Sequence, residues 1–245
     1  MPAILQVPGT ARLTAPYDFG ATQSWPLGTQ LMTFDGRTYR YGENDGTLDV
    51  TGTLYQSEVP DANWDELAVA AAAIGATSVT VTFGATAVTA DDFNGGYLLV
   101  EDDAGEGFAY VVEDTPAVSA STAGAISLAH GIEVALTASS TVITLKHPGK
   151  DVIIHPSPPT AALWGVAAAP IAANQFGWYQ SKGVCAVLTE GTPIIGEAVR
   201  ASETTDGTVT LQDFDEADDA NAGQIGIAIA VSATGEHSPI MLDIP

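Results

Sequence analysis

Thr77-Ser78-Val79-Thr80-Val81-Thr82-Phe83 alternates apolar and hydroxyl side chains, the period-two pattern of a strand with one face in a core. The same alternation sets Ile132, Val134 and Leu136 against Glu133 and Ala135, and short apolar runs follow the same rhythm at Tyr97 to Val100, Phe108 to Val112, Val142 to Leu145 and Val152 to Ile154. Strands recurring about every 8 to 12 residues, with Gly, Asp, Asn and Pro between them, predict a sandwich or barrel rather than parallel βαβ units. The expected fold class is mainly β: antiparallel β-sandwich or barrel modules, one short alanine-rich helix and an extended N-terminal arm.

Working outward, Asp61-Ala62-Asn63-Trp64-Asp65-Glu66-Leu67 offers a capping side chain and acids suited to a helix N-terminus. The alanine-rich run that follows predicts a helix near 63–74, stopped by Gly75. Further upstream, Asp35-Gly36 between alternating runs predicts a two-residue hairpin turn. That register puts Met32, Phe34, Tyr39 and Tyr41 on one face and Thr33, Thr38 and Arg40 on the other. Residues 1–28, with prolines at 2, 8, 16 and 26, predict an extended arm.

Downstream, Pro156-Ser157-Pro158-Pro159 cannot join a ladder and reads as a boundary. The division expected is an arm over 1–28, a β-rich domain over 29–155, a proline-rich linker over 156–171 and a small β-module over 172–245. The module's strands are expected at Gly183 to Leu188, Ile194 to Val199, Thr208 to Leu211, Ile225 to Val231 and Ile240 to Ile244. In Ile225-Gly226-Ile227-Ala228-Ile229-Ala230-Val231 the large residues take one face and Gly or Ala the other, which invites close approach on the small-residue face.

Thirty acidic residues against seven Lys plus Arg give a net charge of −23, which repels phosphate backbones and anionic lipid heads and disfavours nucleic acid and membrane surfaces as partners. With 46% hydrophobic residues in patterned runs, the chain is expected to fold rather than stay disordered. The one cysteine, Cys185, sits in an apolar run and reads as a buried, inert thiol. Pro8 breaks the first apolar stretch, and the longest apolar windows, Leu67 to Ala76 and Ala161 to Ala173, are too short to span a bilayer, so a soluble protein assembled in a cytoplasm is expected.

Motifs that carry chemistry are missing: there is no His-Glu-x-x-His, no Gly-x-Ser-x-Gly and no phosphate-binding glycine loop ending in Lys. Gly105-Glu106-Gly107 lies among acids and reads as a hairpin tip. His147 and His155, each before a proline, lack a Cys or carboxylate set that would complete a metal site. Asp213 to Asp219 lacks the ligand order of a calcium loop, and Glu101-Asp102-Asp103 reads likewise as solvated acids. No catalytic residue, metal or cofactor is therefore expected.

The stretch from Gly183 through Gly191-Thr192-Pro193-Ile194-Ile195-Gly196-Glu197-Ala198-Val199, then Gln224-Ile225-Gly226-Ile227-Ala228-Ile229-Ala230 and Gly235-Glu236-His237-Ser238-Pro239-Ile240-Met241-Leu242, resembles the capsid cement proteins of tailed phages. Gly36-Arg37-Thr38-Tyr39-Arg40-Tyr41 leading to Gly52-Thr53-Leu54-Tyr55-Gln56, and Asn94-Gly95-Gly96-Tyr97-Leu98 leading to Gly105-Glu106-Gly107, look like larger phage structural proteins of the same kind. The resemblance implies a non-enzymatic head decoration protein on the outer capsid surface of a virion. Its implied partners are the major capsid protein and itself, as a homotrimer.

On that reading the arm's Leu5, Val7, Leu13, Tyr17, Phe19 and Trp25 are expected to meet the capsid, since a large apolar side chain gains roughly 1.5–3 kcal/mol on burial. Arg12, Arg37 and Arg40 are expected to pair with carboxylates there, and Ile225, Gly226, Ile227, Ala228 and Ile229 to self-associate. The opposing possibility is that the arm folds back on its own subunit. Rival readings are another virion part, such as tail, baseplate or fibre, and a carbohydrate-binding β protein using Trp25, Trp64, Trp164 or Trp178.

Overall fold

The structure, a computed structural model, describes residues 4–6, 15–212 and 223–245, with 4–6 and 15 as backbone alone. The chain forms two compact units, one of Met1–Val59 with Pro148–Pro245 and one of Pro60–His147. Among the described residues the first unit carries β1 (Ile4–Gln6), β2 (Gln30–Met32), β3 (Thr38–Glu43) and β4 (Leu54–Gln56) before the second unit intervenes. The second carries β5 (Leu67–Val69), β6 (Ser78–Thr82), β7 (Tyr97–Asp102), β8 (Ala109–Asp114), β9 (Ala123–Leu128) and β10 (Thr141–Leu145). The first unit then resumes with β11 (Ile153–Ile154), β12 (Leu163–Ala167), β13 (Phe176–Leu188), β14 (Ala198–Ala201), β15 (Val209–Leu211), β16 (Gln224–Ala228) and β17 (His237–Asp243). The fold is mainly β, with antiparallel pairing apart from β1 on β2, as the alternation in the sequence implies.

The second unit is a closed barrel in the order β10-β5-β6-β9-β8-β7. Its core is the alternating set expected: Val79, Val81 and Phe83 point inward while Ser78, Thr80 and Thr82 face out. Ile132 and Leu136 are also buried, but their segment forms no named strand: Leu136 bridges Ala72, and Ile132 exchanges backbone bonds with Gly75 and Ala76. Gly105 and Gly107 form the β7–β8 hairpin tip, each with positive φ.

The expected helix near 63–74 does not form. Asp61 caps as anticipated, its carboxylate accepting from the Asn63 amide at 2.8 Å, but only a 3-10 turn over Ala62–Trp64 follows. Leu67, Ala68 and Val69 then alternate buried, exposed, buried, and β5 closes the barrel between β10 and β6. Alanine's local helix preference is weaker than the gain from burying Leu67 and Val69 and completing two ladders.

The first unit is a sheet whose main path runs β1-β2-β3-β13-β17-β16-β14-β15, with β4, β11 and β12 joined through β13. This overturns the expected division at 156–171. β11 and β12, on either side of Pro156 to Pro159, both pair with β4, at Ile153 to Gln56 and Val166 to Leu54. The Gln56 amide donates to the Thr160 hydroxyl at 2.9 Å, and its carbonyl accepts from the Thr160 amide at 3.0 Å. The prolines mark a turn inside one unit, while the true insertion, 60–147, is bounded only by the single prolines Pro60 and Pro148.

The hairpin of β2 and β3 forms, one residue out of the expected register: Gln30 pairs Arg40, Leu31 pairs Tyr39 and Met32 pairs Thr38. The Thr33 amide donates to the Arg37 carbonyl at 2.9 Å and the Gly36 amide to the Thr33 carbonyl at 3.0 Å, leaving a three-residue loop with Gly36 at φ 84°. A turn ending in a left-handed glycine is the usual three-residue solution. The slip moves Met32 off the face of Tyr39 and Tyr41 and onto that of Thr38 and Arg40, as a one-residue shift must.

Candidate docking surfaces

The described part of the N-terminal segment is tied to its own unit. Gly20 and Phe176 exchange backbone bonds of 3.0 and 2.9 Å, the Ser24 amide donates to the Tyr41 phenol at 3.0 Å, and the Gly28 amide donates to the Tyr41 carbonyl at 2.9 Å. Leu5 lies in β1, in register with Leu31 of β2. Val7, Arg12 and Leu13 lie outside the described residues. The segment thus joins its own sheet, yet Tyr17, Phe19 and Trp25 stay exposed, and Phe34 at the hairpin tip is 81% exposed.

Two of the basic candidates are engaged within the unit. Arg37 donates to Asp35 at 2.7 Å and lies 5.8 Å from the Tyr39 ring centre. Arg40 sits over the Trp164 ring at 5.5 Å and donates to the backbone oxygens of Ile244 and Pro245. Both guanidiniums shape this unit rather than wait for an outside carboxylate.

The self-association candidates divide. Ala198, Val199 and Arg200 of β14 pair with Ile227, Gly226 and Gln224, so Ile225 is an extra, bulged residue. The bulge turns both Ile225 and Gly226 inward, and Ala228 is buried as well. A Cβ on Gly226 would come within 2.5 Å of the Met241 carbonyl oxygen, so the close approach read from the small residues occurs inside the subunit. Ile227 and Ile229 instead point outward and are exposed.

They belong to an apolar sheet face. Val184 of β13 pairs with Met241 of β17, and Met241 with Ile227 of β16, three exposed side chains abreast. One step along, Ala186 pairs with Pro239, whose carbonyl accepts from the Ile229 amide at 3.0 Å. No charge interrupts these two rows; an ion pair of Lys182 with Asp243 at 2.6 Å and the pair Leu188 with His237 frame their ends. Sequence reading found Ile227 and Ile229 but missed Val184, Ala186, Pro239 and Met241, since only strand pairing sets them side by side. In a chain of net charge −23 an uncharged exposed face stands out and is a candidate docking surface.

Beside the hairpin, Asp18, Phe19, Gly20, Ser24, Trp25, Leu31, Tyr41 and Trp178 line a cavity of about 220 Å³. Of the four tryptophans considered as sugar platforms, Trp64 and Trp164 are buried in cores, while Trp25 and Trp178 meet here. Cys185 packs beside the β13–β17 core, where burial pushes its thiol up to about 12, so it carries no thiolate at neutral pH. Burial likewise lowers His147 to about 4. Among the described residues no three His, Cys, Asp or Glu gather as a metal site, and the acidic run 213–219 lies outside them.

These features define an antiparallel β protein with an inserted barrel, an uncharged sheet face and a small aromatic cavity. No family model matches the chain, and neither a curated protein nor a solved structure matches it.

Proposed function

We propose that this chain is a structural virion protein, a head decoration protein that binds the outer surface of a tailed-phage capsid and bridges its subunits. The observation that carries the reading is the uncharged face of Val184, Met241, Ile227 and Ile229 on a strongly acidic chain. Acidic charge keeps a crowded particle exterior soluble and away from packaged nucleic acid, while the apolar face holds the copies of the chain together on it. The cement-protein resemblance supports the same assignment and supplies the trimer.

In this reading the sheet face joins copies of the chain, and Phe19, Trp25 and Phe34, exposed around the hairpin, meet the major capsid protein. Cosedimentation with purified undecorated capsids, with electron microscopy of the complex, tests it: protein that stays in the supernatant and is missing from the shell exterior refutes the assignment.

Self-association is checked separately by light scattering. Ile227→Gln with Met241→Gln is expected to convert trimer to monomer while leaving the circular-dichroism spectrum unchanged, since both side chains face solvent within the subunit. Because the copies carry like charge, association of the unaltered chain is expected to strengthen as salt rises. A wild-type monomer at micromolar concentration both free and on capsids would defeat the trimer.

A further inference from the structure

We propose that the cavity between the 18–25 segment and the β2–β3 hairpin binds a single neutral pyranose ring, a sugar site additional to the docking function that shares Phe19 and Trp25 with the proposed capsid contact. The cavity is built rather than incidental. Its lining includes the buried Leu31, Tyr41 and Trp178, and Tyr41 meets Trp178 edge-on with centroids 5.0 Å apart. Its other aromatic residues, Phe19 and Trp25, are held by the Gly20–Phe176 exchange and by the bond from Ser24 to the Tyr41 phenol. Such fixed backbone makes the site preformed, which lowers the ordering cost of binding.

Size and chemistry select the ligand. About 220 Å³ is below the roughly 300–1,000 Å³ typical of sites for drug-sized ligands, and suits one ring. Aromatic faces carry negative quadrupole density that attracts the positively polarised C–H face of a sugar ring. Three polar groups in the lining are unused: the Asp18 carboxylate, the Ser24 hydroxyl and the Trp178 indole N–H take part in no hydrogen bond or ion pair among the described residues. That set both accepts and donates, which matches ring hydroxyls. A quaternary ammonium would use the aromatic rings and Asp18 but neither donor, and an acidic sugar would be repelled by Asp18 and by the net charge of −23.

The test uses the full chain with methyl glycosides of glucose, galactose, mannose and N-acetylglucosamine, followed by saturation-transfer NMR and calorimetry. At least one is expected to bind with Kd of about 1 mM, the range open to so small a ligand. Trp25→Ala is expected to abolish binding, and Asp18→Asn to weaken it about tenfold through loss of a charged acceptor. Should Trp25→Ala misfold by circular dichroism, Asp18→Asn decides alone, because Asp18 is exposed and outside the cores. Silence from all four glycosides, binding unchanged in both variants, or choline binding as tightly as the best glycoside overturns the proposal. No capsid enters this titration and no sugar enters the cosedimentation, so either reading can fail without the other.

Discussion

Phe93→Ala is expected to destabilise the barrel of residues 60–147 by about 3–5 kcal/mol, the cost of truncating a buried aromatic when its cavity cannot collapse. Phe93 is fully buried, meets Trp64 edge-on at 4.9 Å and stacks on Phe83 at 6.0 Å. Both ring contacts vanish with it, and each adds about 0.5–1.5 kcal/mol beyond burial. Against the roughly 5–15 kcal/mol that holds a domain together, this is a large share. Urea unfolding followed by circular dichroism measures it. A loss below about 1 kcal/mol would show that the aromatic cluster is not the centre of this core.

The second large effect is the pH dependence that Asp49 contributes. Burial pushes its carboxyl up to about 7, against the opposing pull of hydrogen bonds with Tyr179 and Tyr55. The Tyr179 hydroxyl donates to it at 2.5 Å, and the Tyr55 and Tyr179 rings meet edge-on at 5.7 Å. Because the folded value lies above the ordinary one of 3.8, the folded chain holds a proton that the unfolded chain releases between about pH 4 and 7. The stability it contributes is complete below pH 4 and is lost as pH rises through 7, amounting to about 2–4 kcal/mol. Asp49→Asn keeps a neutral acceptor and removes this loss. The variant is therefore expected to gain on the unaltered chain from pH 5 to about pH 7 in parallel melts and to level off above it. Parallel curves for the two proteins over that range would refute the assignment, whatever the shared slope that the other acids impose.

These two cores would serve the proposed docking differently. The Asp49 cluster packs with Trp164, over whose ring Arg40 is held. A pH rise that charges Asp49 therefore acts on the unit that carries the apolar face and the cavity. The barrel contributes eleven of the net negative charges, twelve acids against Lys146 alone, and gives the particle surface its repulsive character in the proposed role.

Several features were already decided by the sequence. Alternation at Val79, Val81 and Phe83 makes strands because side chains on successive strand residues leave by opposite faces, a local property needing no knowledge of the partner strand. Glycines at 105 and 107 made a hairpin tip for an equally local reason, and the acid excess sets a charge that repels phosphate-rich surfaces. Tertiary structure alone decided the rest. Leu67 to Val69 became a strand because a barrel needed closing, and the hairpin chose a three-residue loop that turned Met32 outward. Prolines at 156, 158 and 159 resembled a boundary, but β4 pairs the strands on both sides of them. Ile225 and Ile227 looked equivalent until a bulge opposite β14 buried one and exposed the other. The candidate sites lay furthest from local reading: Val184, Ile227 and Met241, or Asp18, Trp25 and Trp178, come together only through pairings across tens to more than a hundred residues, and such contacts leave no period in the chain.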